Sequence, residues 1–557
     1  MANRIPLAWC WFFFALGIFL IGNQSHSFWD RDEPRYAEAT REMLDSGDWI
    51  IPHFNGEIRY DKPPLSYWLM AGPMKVFGVN EFAARFPAAV LGAVRTVLIF
   101  LLAVRLGCSL AGASVAALGS TLMIILTTVS KAATTDSILV LTVAAAMFCR
   151  WEMIARGSSF AGMALLGAAL GSSALVKGPV GPSIVLLAIL THAIWDYLAP
   201  GEKNSAKSQC SKTVAQAALG LGVFMLVALP WAVATLVKGS DFLTHSFQRH
   251  VVERVESASE GHEGPSYYYL VLLPLLILPL TPVALAALPH VFKSRRSATM
   301  RFLICWIVPS FMMFSAVSTK LPHYVAPLVP AICLMAGLWW TERERGAQNI
   351  GSRGWMTAGA CFMALVGVGG AVALPLAVKN MNAPVGSSVV YTVSAVLFVS
   401  MLSGAWFWVR GAAPKALAAW CAGWTAVLLI AMVWALPSID ALRPSRQLAL
   451  WLHHNAPAGT RVIANQYKEP TFVFYQGGGV EMRGIRSADR RDTIKGLNKI
   501  QVPTALVTTR DRYDTMLEEN EIPINPRVRP LLDKEFFQFE QGRFIRMVIV
   551  GNWLPPE

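Results

Sequence analysis

Roughly thirteen apolar stretches recur along this chain, each close to the ~20 residues an α-helix needs to cross a bilayer. They run over 8–24, 83–105, 109–129, 134–150, 159–176, 178–197, 215–236, 267–289, 300–317, 322–340, 355–376, 387–409 and 415–435. Lipid offers no hydrogen-bond partners, so a segment within it must satisfy its own backbone, and runs of this length do so as helices. Of the 557 residues, 54% are hydrophobic and 15% charged, against about 25% charged in soluble globular chains. The stretch after Arg4 has no small-residue cleavage site before Asn23 and is expected to remain as a first helix. The eight cysteines include no CxxC pair, which argues against a cysteine zinc site or a disulfide framework.

The net charge of +13 is distributed as a topology signal. Alternate short loops carry Lys203, Lys207 and Lys212, then Lys293, Arg295, Arg296 and Arg301, then Arg343, Arg345 and Arg353, then Arg410 and Lys415. These loops are expected to be cytoplasmic. The opposite short loops hold single lysines, Lys131, Lys177, Lys320 and Lys379. Such a pattern argues against nucleic acid as a partner. An odd number of spans places the tail outside, together with residues 25–82 and 237–266. The expected division is a transmembrane domain, 1–436, and an outer α/β domain, 437–557, in which Val462-Ile463-Ala464, Ala505-Leu506-Val507 and Phe544 to Val550 read as strands. Gly477-Gly478-Gly479 reads as a turn, because no Lys-Ser/Thr follows it to make a phosphate loop.

The first outer segment contains Trp29-Asp30-Arg31-Asp32-Glu33-Pro34-Arg35-Tyr36. Asp32 is expected to cap a short amphipathic helix over 33–46, with Tyr36, Met43 and Leu44 on one face. Phe54-Asn55-Gly56-Glu57 predicts a hairpin turn. Tyr60-Asp61-Lys62-Pro63-Pro64-Leu65 then leads into an aromatic surface segment. The second outer segment is polar and includes Arg254 and His262.

Charges at membrane depth are costly and are functional candidates by default. Asp136 lies at the outer end of a span, with Lys131, Lys177, Lys320, His323 and Tyr324 on the same side. Taken singly, Asp32 and Asp136 read equally well as helix caps, Lys131 and Lys320 as interfacial anchors, and His262 as a loop residue. Arg85 and Arg95 fit packing as well as function. Acids and cations from four outer segments nevertheless converge on one face beside aromatic rings. That set suits an anionic amphiphile, with cations for phosphate, acids for chemistry and rings for lipid or sugar.

These motifs, with Thr135-Asp136, Lys177-Gly178-Pro179 and Lys320-Leu321-Pro322-His323-Tyr324, resemble the bacterial lipid A aminoarabinose transferases. Those enzymes belong to the GT-C group of polyprenyl-phosphate-sugar glycosyltransferases, related to protein O-mannosyltransferases. The resemblance covers residues 25 to about 340 and the layout of the tail. It implies an all-α polytopic membrane protein of GT-C type with a small C-terminal soluble α/β domain. It also implies the bacterial inner membrane, with the active site and tail facing the periplasm. The implied donor is undecaprenyl phosphate carrying 4-amino-4-deoxy-L-arabinose, and the acceptor is a lipid A phosphate, a modification that gives resistance to polymyxin and cationic peptides.

Residue by residue, the resemblance makes Asp32 and Asp136 the acids of the reaction centre. Lys62, Arg35 and Arg254 become donor-phosphate ligands, with Glu33, Tyr36, Tyr60, Lys131, Lys177, Lys320, His323 and Tyr324 lining the cavity. Asp61 stands where some members carry Glu, and with His262 it is the candidate contact for a divalent metal. Two other readings remain open at this point. One is a GT-C enzyme with another lipid-linked sugar or a protein hydroxyl acceptor. The other is a lipid flippase or transporter, although no internal repeat of the transporter kind is found.

Overall fold

The computed structural model describes residues 4–29, 31–198, 210–248, 264–346, 353–380, 385–483, 493, 497–498, 502–518, 525–538 and 543–553. All thirteen apolar stretches are helical over most of their length. In chain order the first helices are α1 (Arg4–Leu20), α2 (Asp32–Ser46), α3 (Leu65–Phe77), α4 (Glu81–Arg105), α5 (Leu110–Leu122), α6 (Ile124–Lys131), α7 (Asp136–Arg156), α8 (Phe160–Lys177), α9 (Val180–Leu198), α10 (Cys210–Val237) and α11 (Phe242–Phe247). Among the described residues, ten helices are long and apolar enough to cross a membrane, or twelve if two bent pairs each count as one span. The pairs are α5 with α6, bent by 54°, and Tyr268–Leu276 with Thr281–Ser294, bent by 119°. The shorter apolar α1 has 17 residues.

The α5–α6 break leaves carbonyls that lipid could not satisfy. Arg95, fully buried on α4, supplies the donors: it bonds the Ser120 carbonyl at 2.6 Å, the Ser120 hydroxyl at 3.2 Å and the Ser130 hydroxyl at 3.1 Å. Thr127 Oγ1 donates to the Thr121 carbonyl at 2.7 Å. Arg95 therefore holds a helix break. Elsewhere the spans approach closely at small residues. A Cβ on Gly167 of α8 would run into the backbone of Gly220 on α10.

Between α1 and α3, α2 buries Tyr36, Ala37, Ala39 and Met43 and ends at Gly47, whose left-handed φ of 72° lets its N–H reach the Met43 carbonyl. The expected hairpin is present as β1 (His53–Phe54) and β2 (Glu57–Ile58). Asn55 and Gly56, at φ 57° and 80°, make its turn. One expectation is corrected. Arg31 occupies the cap position of α2 with helix-like backbone angles and no side-chain cap bond, and Asp32 is the first helical residue. The Asp32 carboxylate is thus not committed to capping.

The tail folds around β3 (Arg461–Asn465), β4 (Val480–Arg483), β5 (Thr504–Thr509), β6 (Arg529–Gln538) and β7 (Arg543–Gly551), ordered β4-β3-β5-β7-β6. β3 runs parallel to β4 and β5, while β7 is antiparallel to β5 and β6. Both faces are covered, which is why the central strands read as unbroken apolar runs. Val462, Ala464, Val507 and Ile549 share one core with Leu448 and Phe472; Ile463, Leu506, Val548 and Val550 share another with Tyr513. Gly477, Gly478 and Gly479 all have positive φ, as a turn requires.

Candidate active site

The N-terminus of α2 is fixed by a buried ion pair. Arg85 of α4 is fully buried and Glu33 is 3% exposed. Arg85 Nε and Nη2 reach the two Glu33 oxygens at 2.8 and 2.7 Å, the bidentate geometry that makes such pairs strong. Glu33 also accepts from the backbone N–H of Trp29 at 2.9 Å and of Ala133 at 2.8 Å. Arg85 donates further to the carbonyls of Asn23, His26 and Ser27. Burial alone would raise the Glu33 pKa. The Arg85 charge and these hydrogen bonds outweigh it and hold the carboxyl below the usual range. Glu33 thus joins α2, α4, the loop before α2 and the loop before α7 from a buried position.

Beside it, residues 59–62 carry three charges around a tight turn, in which the Asp61 N–H donates to the Arg59 carbonyl at 2.8 Å. Arg59 is buried, lies 5.0 Å over the Tyr36 ring and donates to Tyr67 Oη at 3.1 Å. Asp61 pairs with Arg59 and, at 2.8 Å, with the Lys62 ammonium. Burial pushes the Tyr67 phenol up to about 12, and Tyr36 is raised in the same way. Both stay protonated donors at neutral pH. Asp32 is exposed at the first residue of α2. Arg35, one helical turn on, is half-buried. Tyr60 turns away from this group: its hydroxyl donates to Asp241 at 2.8 Å and its ring packs on Phe242 and His245 of α11.

The second acid sits at the start of α7. Asp136 is 6% exposed and makes no cap bond. Its Oδ1 accepts from Lys177 Nζ at 2.7 Å, and its Oδ2 lies 3.8 Å from His323 Nε2. Lys177 also stands 5.2 Å over the Tyr324 ring, which meets the His323 ring edge-on. Lys62 is buried and paired with Asp61. Helices α7 and α8 and the 3-10 turn Pro322–Leu328 therefore bring Asp136, Lys177, His323 and Tyr324 together.

Two lysines are placed otherwise. Lys131 Nζ donates to the carbonyls of Ile18, Phe19 and Ile21 at 3.2, 3.1 and 2.6 Å, closing the C-terminus of α1. Lys320 Nζ donates to Phe314 and Ser315 at 3.1 and 2.6 Å and to Val317, closing the helix Ala298–Ala316. Both complete carbonyls that a helix end leaves open. Lys131→Met should lower stability by about 1–3 kcal/mol and leave affinity for undecaprenyl phosphate unchanged. Thermal unfolding and lipid binding on one preparation measure both, and a large loss of affinity would return Lys131 to the ligand shell.

Arg254 and His262 lie outside the described residues. Asp61 is a poor metal ligand as placed, because its carboxylate already bridges two cations, and among the described residues no group of three His, Cys, Asp or Glu could hold a metal ion. Sequence reasoning missed Arg59 and Tyr67. The signal for Arg59 was a cation two residues before an acid, which a tight turn with the Asp61 N–H on the Arg59 carbonyl at 2.8 Å brings together.

A model of the family described as dolichyl-phosphate-mannose-protein mannosyltransferase matches residues 8–246. The undecaprenyl phosphate-alpha-4-amino-4-deoxy-L-arabinose arabinosyl transferase of Pseudomonas aeruginosa is 29% identical over 436 residues, 75% of this chain and 73% of that one. The transferase of the same name from Edwardsiella ictaluri is 32% identical over 354 residues, 62% of this chain and 61% of its own. Among solved structures, ArnT from Cupriavidus metallidurans bound to undecaprenyl phosphate matches with a TM-score of 0.78 at 20% identity, covering 98% of both chains. That likeness shows a shared fold over nearly the whole length, tail included.

Proposed function

We propose that this chain, a multi-pass membrane glycosyltransferase using a polyprenyl-phosphate sugar donor, moves 4-amino-4-deoxy-L-arabinose from undecaprenyl phosphate to a phosphate of lipid A. The observation that carries the reading is the likeness to arabinosyl transferases over 75% of this chain and 73% of the relative. The cluster of Asp136, Lys177 and His323 is consistent with it. In this reading the cluster faces the periplasm, as does the tail domain 437–557, and the membrane is the inner one.

In the reaction an acceptor phosphate oxygen bonds to the anomeric carbon while the bond from that carbon to the carrier phosphate oxygen breaks. The electron pair leaves with the lipid phosphate. Its growing charge needs preorganised cations, the role given to Lys62 and Arg35, with Arg254 as a third. A phosphate acceptor is already anionic near neutral pH, its second pKa being about 6, so no strong base is required. Asp32 and Asp136 then orient the acceptor and hold the sugar's ammonium. The match to a protein mannosyltransferase family supports a second reading, with a protein hydroxyl as acceptor and Asp32 as general base. Mass spectrometry of lipid A from cells with and without this chain separates them. Added aminopentose only when the chain is present supports the first; unchanged lipid A contradicts it.

A further inference from the structure

The C-terminal sheet region takes no part in the chemistry above, yet it grips the segment that leads into Asp32. The Ser27 N–H donates to Asp440 Oδ1 at 2.8 Å across 413 residues of sequence, and the Ser27 hydroxyl donates to the same oxygen. Arg443 Nη1 donates to the Ser27 hydroxyl oxygen at 2.7 Å and to its carbonyl at 3.3 Å, and its guanidinium lies 5.1 Å from the Trp29 ring centre. The Phe28 N–H donates to Tyr475 Oη at 3.1 Å, and that hydroxyl donates to Glu81 of α4 at 2.7 Å. The Phe28 ring meets Phe474 edge-on at 4.9 Å.

From the other side, Arg85 holds the Ser27 carbonyl and Glu33 holds the Trp29 N–H. Ser27, Phe28, Asp440 and Glu81 are all buried. Buried polar bonds are worth little as bulk stability but demand one geometry, because each partner left unpaired is costly. Apolar packing would have been enough merely to attach the tail.

We propose that Asp440, Arg443 and Tyr475 are positioning residues: they fix Ser27-Phe28-Trp29 and so set where α2 presents Asp32. The proposal rests on the reading of Asp32 as a group of the reaction centre. It makes the tail part of the catalytic unit, with no residue of the tail touching the reacting atoms.

The test uses the full-length chain in detergent, with steady-state transfer and undecaprenyl phosphate binding measured on each variant. Tyr475→Phe and Asp440→Ala should each lower kcat by about 10–100-fold, the scale of a misplacement near 1 Å, with donor KM and lipid affinity held within about twofold. Asp440→Asn keeps an acceptor for Ser27 and should recover most of the loss. In an Asp32→Asn background, Tyr475→Phe should not lower the residual rate further, because what it positions is already gone. Wild-type kcat in both Tyr475→Phe and Asp440→Ala, or an undiminished further fall in the Asp32→Asn background, would overturn the clamp. Full activity in Asp32→Asn alone would overturn the underlying reading of Asp32 instead. Should Asp440→Ala fail to fold, Tyr475→Phe, which removes a single oxygen, carries the test.

Discussion

Asp32→Asn should lower the transfer rate by on the order of 10²–10³-fold, the scale of losing one preorganised charged group, while the protein should still insert and still bind undecaprenyl phosphate. The side chain is exposed at the first residue of α2 and caps nothing, so the fold does not depend on it. Its contribution to the helix dipole is at most about 1 kcal/mol, too little to unfold a chain in which α2 is locked by Glu33 and Arg85. Activity and stability therefore separate in this variant. Rate and unfolding midpoint measured together check this, and a fully active Asp32→Asn enzyme would remove Asp32 from the reaction centre.

The second large effect is on stability. Arg85→Met leaves the Glu33 carboxylate buried without its cation and strips donors from three carbonyls. Breaking one side of a buried pair costs about 3–5 kcal/mol, a large share of the ~5–15 kcal/mol that holds a typical domain together. The variant should lose its folded outer region and its activity together. Glu33→Gln combined with Arg85→Met should be more stable than Arg85→Met alone, because no unpaired charge is then buried. Unfolding of the two variants in the same detergent decides it. A midpoint for Arg85→Met close to wild type would show that the pair does not hold α2.

The spans were legible because apolar runs of this length have few solutions, and each expected stretch is a helix. The strands at 462–464, 505–507 and 544–550 were legible for a similar reason: both faces of the sheet are covered, so the first two are apolar throughout and the last is apolar from Met547 to Val550. The destinations of individual charges were not legible. In the sequence Lys131, Lys177 and Lys320 read alike, as single lysines between apolar stretches, yet Lys131 and Lys320 close helix ends while Lys177 meets Asp136. What separates them is which carbonyls lie within reach, a property of tertiary placement. Glu33 and Asp32 are neighbours in sequence, but one helical step, about 100°, turns one inward to Arg85 and the other outward. The contact of Ser27 with Asp440 joins the two ends of the chain and leaves no local signature in either.

The account's central claim, transfer of an aminoarabinose from a lipid carrier to lipid A at the Asp32 and Lys62 centre, is tested most directly in one reaction. Purified chain is incubated with undecaprenyl phosphate carrying sugar-labelled 4-amino-4-deoxy-L-arabinose and with lipid A, and the label is followed in wild type, Asp32→Asn and Lys62→Ala. The account predicts label on a lipid A phosphate with wild type and almost none with either variant. Label that stays on the carrier with wild type, or that reaches lipid A equally well in both variants, would contradict it.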